Sequence, residues 1–274
     1  MARFGRRKDN PEARMSLGGH LREFRNRAIV SVIAILVGCV VGWIVYQDVY
    51  DFLKQPITDI AALHPGSNID VNFNGVTAPF NLKLKVSMWI GFIVASPVWL
   101  WQIWAFLVPG LTKKEKRLGR IFIGAALVLF AGGVYMGTQT FTNAVELLLG
   151  ATPDNASNLP SATEYFSFVT RFILAFGLSF MLPILLMALN VLGILSGRMM
   201  LKGWRFAIIV IATFAAIMTP TPDVWTMFLL SAPLLVLFYG SAGLALVLDK
   251  IRGRREAKSR PEWMEISDDK ASAL

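Results

Sequence analysis

This sequence has very little with which to do covalent or metal chemistry. Its 274 residues include one cysteine, Cys39, and two histidines, His20 and His64. A lone cysteine excludes an intrachain disulfide and a cysteine metal site. Cys39 lies in an apolar run, where it reads as a small packing residue. There is no GxxxxGK[ST] loop for a nucleotide and no H-E-x-x-H for zinc. No Ser/His/Asp arrangement suggests itself, so neither catalysis nor a cofactor is expected. Charge is also scarce. Only 16% of residues are Asp, Glu, Lys or Arg, against about a quarter in soluble domains. A cleavable signal peptide is not expected either, because the first apolar run starts near Ala28 behind a long charged segment and no small-residue cleavage site follows it. The Arg6-Arg7 pair reads as part of a basic tail.

What is present is apolar sequence, 55% of the chain, in runs long enough to cross a hydrocarbon core of about 30 Å. The runs predict spans over Ala28–Tyr46, Val86–Val108, Ile121–Thr140, Tyr165–Leu195, Phe206–Met218 and Val224–Leu248. Pro97 and Pro183 fall inside the second and fourth and should bend them. The fifth is short, about 20 Å of helix at 1.5 Å per residue, and needs a locally thin bilayer or neighbours over its ends. Between the first two spans, Gln47 to Ala78 reads as a polar loop, rich in Asn, Gly and Asp, with one amphipathic turn at Tyr50–Leu53. The expected fold is all-α: a polytopic integral membrane protein with six transmembrane helices. A basic tail (1–27) would precede the membrane domain (28–248), and a charged, disordered tail (249–274) would follow it.

The formal net charge of +9 would suggest nucleic acid in a soluble protein. Here its distribution points to topology instead. Of 27 basic residues, all but Lys54, Lys83, Lys85 and Arg171 fall in the two tails or in the connections after the second and fourth spans. The other connections are acidic. Lys and Arg mark cytoplasmic segments, so both termini are expected inside, and no nucleic-acid partner is expected. His20 and His64 would then lie on opposite sides.

The spans lack central ionisable groups, which are usually kept there for function. Arg171, near the outer end of the fourth, comes nearest. A small-solute transporter would need midplane polar residues and a repeated architecture. A membrane-embedded enzyme would need Asp, Glu, His or Ser clustered at one depth. Gly38-x-x-x-Gly42 and Gly133-x-x-x-Gly137 are explained by helix packing within one chain. Two carboxylates stand out by position: Glu23, ahead of the first span, and Glu115, in the basic connection after the second. Each could be a surface ion pair worth about 0–1 kcal/mol. Alternatively, both could face one groove and bind a cationic ligand, for which arginine is suited by its planar fork.

At these residues the sequence resembles the TatC family, the membrane receptor of the twin-arginine protein translocase. The resemblance rests on His20-Leu21-x-Glu23-Phe24-Arg25-x-Arg27, on Ala78-Pro79-Phe80 with Lys83 and Lys85, and on Ser96-Pro97. It continues in Gln102-x-Trp104-Ala105-Phe106-x-x-Pro109-Gly110-Leu111, Lys114-Glu115-x-Arg117, Phe176-Gly177-x-Ser179-Phe180-x-x-Pro183 and Thr219-Pro220-x-Pro222-Asp223-Val224. These occur in order from about Met15 to Lys250. The resemblance implies a receptor in a bacterial cytoplasmic membrane, not an enzyme. It would bind twin-arginine signal peptides of folded proteins and recruit TatA-like and TatB-like single-span partners into an oligomeric complex driven by the proton-motive force. It assigns signal binding to Glu23 and Glu115, with Arg25, Phe106 and Leu111 on the same surface. It also marks Pro56, Phe80 and Asp223 in the external segments. The sequence departs from the family at Met181 and Met227, where a polar pair commonly helps dock the partner helices. Methionine offers packing there without the polar contact.

Overall fold

The computed structural model describes residues 17–63, 70–107, 113–150, 159–191, 193–218 and 224–258. Among them are ten helices: α1 (Leu17–Ile44), α2 (Tyr46–Leu63), α3 (Ala78–Val94), α4 (Ser96–Leu107), α5 (Lys113–Leu149), α6 (Ala162–Ser179), α7 (Leu182–Val191), α8 (Gly197–Lys202), α9 (Trp204–Met218) and α10 (Val224–Lys258). Four segments are long and apolar enough to cross a membrane: Gly18–Ile44, Ile121–Glu146, Ala162–Val191 and Met227–Arg254. The pair α3 and α4, bent by 57°, forms a further broken span, and α9 is a shorter apolar helix. The all-helical membrane architecture follows the apolar runs, but the boundaries move. The first helix begins at Leu17, so the His20–Arg27 stretch is helical. The second span begins at Ala78, which puts Lys85 two turns inside α3 instead of ahead of it. The last helix carries on through Asp249 to Lys258.

The segment after the first span is also corrected. Its first half is not a loop with one amphipathic turn but an eighteen-residue helix. Leu53, Pro56, Ile57 and Ile60 lie buried at helical spacing, while Asp51, Gln55, Thr58 and Asp59 are exposed. The 3.6-residue period overrode the loop-forming composition.

The chain divides into two compact units, Met1–Leu178 and Ser179–Leu274. In the first, α1 crosses α3 with the backbones in contact. A Cβ on Gly38 would stand 2.7 Å from the Gly91 carbonyl oxygen, one on Gly42 would stand 2.5 Å from that of Ser87, and one on Gly91 would stand 2.6 Å from the Cys39 nitrogen. The glycine pair in α1 therefore serves packing within the chain. A Cβ on Gly137 of the second pair would stand 3.0 Å from the Ile173 Cα.

Helix α3 ends at Val94, three residues before Pro97, which has no N–H to donate back. Carbonyls in the last turn of α3 lose their helical donors there. The indole Nε1–H of Trp99 donates to the Phe92 carbonyl at 2.9 Å. The Trp99 ring stacks on Phe92 at 4.9 Å and meets Phe130 of α5 edge-on at 5.5 Å. In α2, the Leu53 carbonyl accepts a further hydrogen bond from the buried Tyr165 hydroxyl at 2.7 Å. A single parallel bridge, Asn72 to Ser161, ties the segments that lead into α3 and α6.

The second unit is organised around Asp249. One oxygen of its carboxylate accepts from the Gly197 N–H at 2.7 Å and the other from Asn190 Nδ2 at 2.9 Å. Asn190 also donates to the Leu195 carbonyl, and Arg252 donates to the Asn190 carbonyl at 3.0 Å. Gly193, at a φ of 74°, makes the left-handed turn that ends α7. Gly197 lies against the backbone of Leu246, 2.5 Å from its nitrogen once a Cβ is added. This close approach lets α8 lie on α10.

Candidate functional site

The N-terminal turns of α1 and the C-terminal turns of α4 meet, and the residues between them carry the chemistry. Helical spacing puts His20, Glu23, Phe24 and Arg27 near one side of α1, and Gln102 and Phe106 one turn apart on α4. His20 stacks on Phe106 with ring centroids 4.3 Å apart, and Phe24 meets the same ring edge-on at 5.5 Å. Beside this aromatic cluster, Arg27 holds Glu23. Its Nη2 lies 2.6 Å and its Nε 3.0 Å from Oε1, and its Nη1 donates to Gln102 Oε1 at 3.3 Å. The Glu23 and Arg27 side chains retain only 20% and 27% of their exposure. Both contacts fall on one carboxylate oxygen, which leaves Oε2 of Glu23 without a hydrogen bond among the described residues. Next to the site, Trp104 lies directly over Gly119 and tilts against Phe122 at 6.0 Å, so α4 packs on α5.

The expected site residues are placed as follows. Glu23 and Phe106 come together. Arg25 is exposed and turned elsewhere, with its guanidinium on Asn26 Oδ1 at 3.4 Å. Glu115 lies in the first turn of α5, but its side chain is outside the described residues. Leu111 and Asp223 are outside them entirely, as is His64. Pro56, expected in a loop, is buried inside α2. Phe80 is in the first turn of α3, exposed, and edge-on to Trp43 at 6.0 Å. Lys83 lies over the Trp43 ring at 4.3 Å and near that of Tyr46 at 5.4 Å. Met181 interrupts the run between α6 and α7. Met227 is in the first turn of α10, where its carbonyl accepts from Ser231 Oγ at 2.7 Å. Both methionines are half-buried.

Two partners were missed as such. The Glu23–Arg27 pair was readable from its i,i+4 spacing. Gln102, 75 positions from Arg27, carried no local signal. Away from the site, Lys54 Nζ pairs with Asp70 Oδ1 at 2.9 Å. The hydrogen bond between them lowers the Asp70 carboxyl below its ordinary value and raises the Lys54 ammonium above its own.

Fold and site together define an all-helical integral membrane protein with a carboxylate and an aromatic cluster at one end of its first unit. The chain belongs to the TatC family, whose description, Sec-independent protein translocase protein (TatC), matches residues 19–233. The TatC protein of Xylanimonas cellulosilytica is 41% identical over 253 residues, covering 92% of this chain and 90% of the relative. That of Rothia mucilaginosa is 40% identical, covering 92% and 86%. A crystal structure of the twin-arginine translocase receptor TatC superimposes with a TM-score of 0.72 at 32% identity, covering 83% of this chain and 98% of that one. A second, in the detergent DDM, gives 0.73 at 32% identity, covering 82% and 99%. The chain is therefore a protein-translocase component of the bacterial cytoplasmic membrane and not an enzyme.

Proposed function

We propose that this chain is the signal-peptide receptor of a twin-arginine translocase, with both termini in the cytoplasm, and that Glu23 and Glu115 bind the guanidinium pair of the signal. The observation that carries this reading is the Glu23 carboxylate, which already accepts two N–H groups of a guanidinium, from Arg27. Its second oxygen is left for another donor. The aromatic cluster of His20, Phe24 and Phe106 supplies an apolar and cation-binding surface beside it. Glu115 follows Phe106 and Leu111 in sequence, in the first turn of α5, and is the second carboxylate of this reading. Arg25 and Leu111 extend the surface. The strongly basic cytoplasmic face repels a cationic signal at long range. Salt screens that repulsion beyond about 8 Å, and short bidentate contacts then decide binding. The same basic face attracts anionic lipid headgroups.

Partner recruitment belongs to the same reading. TatA-like and TatB-like single-span helices dock against the surface that includes Met181 and Met227, through packing rather than a polar contact. Pro56, Phe80 and Asp223 shape the external side, and the complex is oligomeric. The test is binding of a labelled twin-arginine signal peptide to the purified protein, beside its twin-lysine counterpart and the Glu23→Gln and Glu115→Gln variants. Lysine, or either variant, should weaken binding about tenfold or more, the equivalent of about 1.4 kcal/mol. Equal binding in all combinations would remove these carboxylates from the signal site.

A further inference from the structure

A second cleft runs along α3 and reaches the end of this helix that lies away from Glu23. Phe24 meets Phe106 near one end of α1, and Trp43 meets Phe80 near the other. Between α1, α3 and α6, a cavity of about 410 Å³ is lined by Ile35, Met88, Trp89, Phe92 and Ser167 together with Lys85 and Arg171. Through Lys85 and Met88 it continues into a polar mouth of about 850 Å³ that includes Asn74, Asn81 and Glu164. The cleft thus grades from an apolar floor, past two cations, to a hydrogen-bonding rim.

The two cations are exposed, and among the described residues neither has an ion pair or a hydrogen-bond acceptor. They also lie inside helices. At 1.5 Å per residue, Lys85 is about 10 Å along α3 from Ala78, and Arg171 is about 13 Å along α6 from Ala162. The Asn72–Ser161 bridge ties the segments leading into these two helices, which brings both cations to a similar depth. Unpaired Lys or Arg at such depth is costly and is normally answered by an anion or by snorkelling to the interface.

We infer that Lys85 and Arg171 hold the phosphate of an anionic phospholipid, whose acyl chains lie on Ile35, Met88, Trp89 and Phe92 and whose headgroup meets the Asn74–Asn81 rim. Charge complementarity names the phosphate, and the apolar floor requires the chains. A partner helix fits less well. With side chains it is at least about 10 Å across, so 410 Å³ would hold roughly one of its turns. A free phosphate would leave the apolar wall without an occupant.

The test is native mass spectrometry of the delipidated full-length protein, titrated with phosphatidylglycerol or phosphatidylcholine. Phosphatidylglycerol should bind preferentially, and Lys85→Gln combined with Arg171→Gln should weaken it about tenfold or more, as loss of charge-assisted contacts implies. Exchanging the two cations, Lys85→Arg with Arg171→Lys, should preserve binding. Glycerol phosphate should not compete. If the double glutamine variant does not fold, Lys85→Gln alone makes the same comparison. Binding of the twin-arginine peptide should be unchanged in every variant, so failure here is distinguishable from failure of the receptor reading. Equal uptake of both lipids, or unchanged binding in the glutamine variants, would overturn the inference. So would competition by glycerol phosphate as strong as by intact lipid, or a photo-crosslinker at Trp89 that captures a protein helix instead of lipid.

Discussion

Arg27 occupies the carboxylate to which the signal peptide is proposed to bind, so removing it should tighten binding. An exposed i,i+4 ion pair contributes about 0.3–0.5 kcal/mol. The Arg27–Glu23 pair is more covered than that and places two N–H groups on one oxygen at 2.6 and 3.0 Å. Hydrogen bonds to charged groups contribute about 1.5–3 kcal/mol. A value between these, about 1–2 kcal/mol, is what an incoming guanidinium must displace to engage both oxygens of Glu23 in a fork. Arg27→Gln should therefore raise peptide affinity by about 5- to 30-fold, and Arg27→Lys, with one compact ammonium in place of the fork, by less. Fluorescence anisotropy of a labelled twin-arginine peptide at low and high salt measures it. The gain should survive at high salt, because the displaced contact is short-ranged and screening acts on distant charges. If Arg27→Gln instead weakens binding as Glu23→Gln does, Arg27 is part of the ligand surface and not a competitor for Glu23. If it changes nothing, the ligand does not touch Glu23.

Three further outcomes follow from the packing. Gly91→Ala puts a methyl 2.6 Å from the Cys39 nitrogen and 2.8 Å from its Sγ. Overpacking of this kind costs about 1–3 kcal/mol. The thermal midpoint in detergent should fall, and Cys39 should react faster with a maleimide, as α1 and α3 separate. Asp249→Ala leaves the Gly197 N–H and one Asn190 N–H without their acceptor; unsatisfied buried donors cost about 1–3 kcal/mol each, which a thermal unfolding scan of the variant would show. The Lys54–Asp70 pair gives a weak pH dependence, best read as the difference in midpoint between the wild type and Asp70→Asn. The folded Asp70 pKa lies below its ordinary 3.8, so the stabilisation is present above that value and is lost as pH falls through the depressed folded pKa. The folded Lys54 pKa lies above 10.5, so the same pair is also lost as pH rises through that raised value.

The apolar runs made the membrane architecture readable because a bilayer tolerates few alternatives to a helix. They did not give the ends. Helices run on past the apolar stretch wherever i,i+4 pairs such as Glu23–Arg27 support them, and no hydropathy pattern shows that. The amphipathic α2 was missed for a related reason. The aspartates, with the Asn and Gly residues that follow, read as loop, while Leu53, Ile57 and Ile60 needed a partner surface before their spacing had meaning. The bend was expected from Pro97, but the break falls at Ala95, and its repair by Trp99 depends on a ring reaching back seven positions. In the candidate site, Glu23 stood out by its position ahead of the first span, while Phe106 was legible only through its motif. Local sequence carries no information about pairing across tens of residues, so it could not show that Arg27 already sits on Glu23 or that Gln102 completes the arrangement.

The α1–α3 crossing also constrains how the chain is made. Gly38, Gly42, Ser87 and Gly91 lock two helices that are separated in sequence only by α2 and the segment after it. Once Val94 has left the ribosome, this antiparallel pair has everything it needs to close in the bilayer, with no contribution from α5 onwards. The helix bearing Glu23 is then fixed before Glu115 is synthesised. A receptor assembled in this order presents one half of its proposed ligand surface first, and the basic connection into α5 completes it. Insertion defects in Gly38 or Gly91 variants should consequently appear in truncated nascent chains as well as in the finished protein.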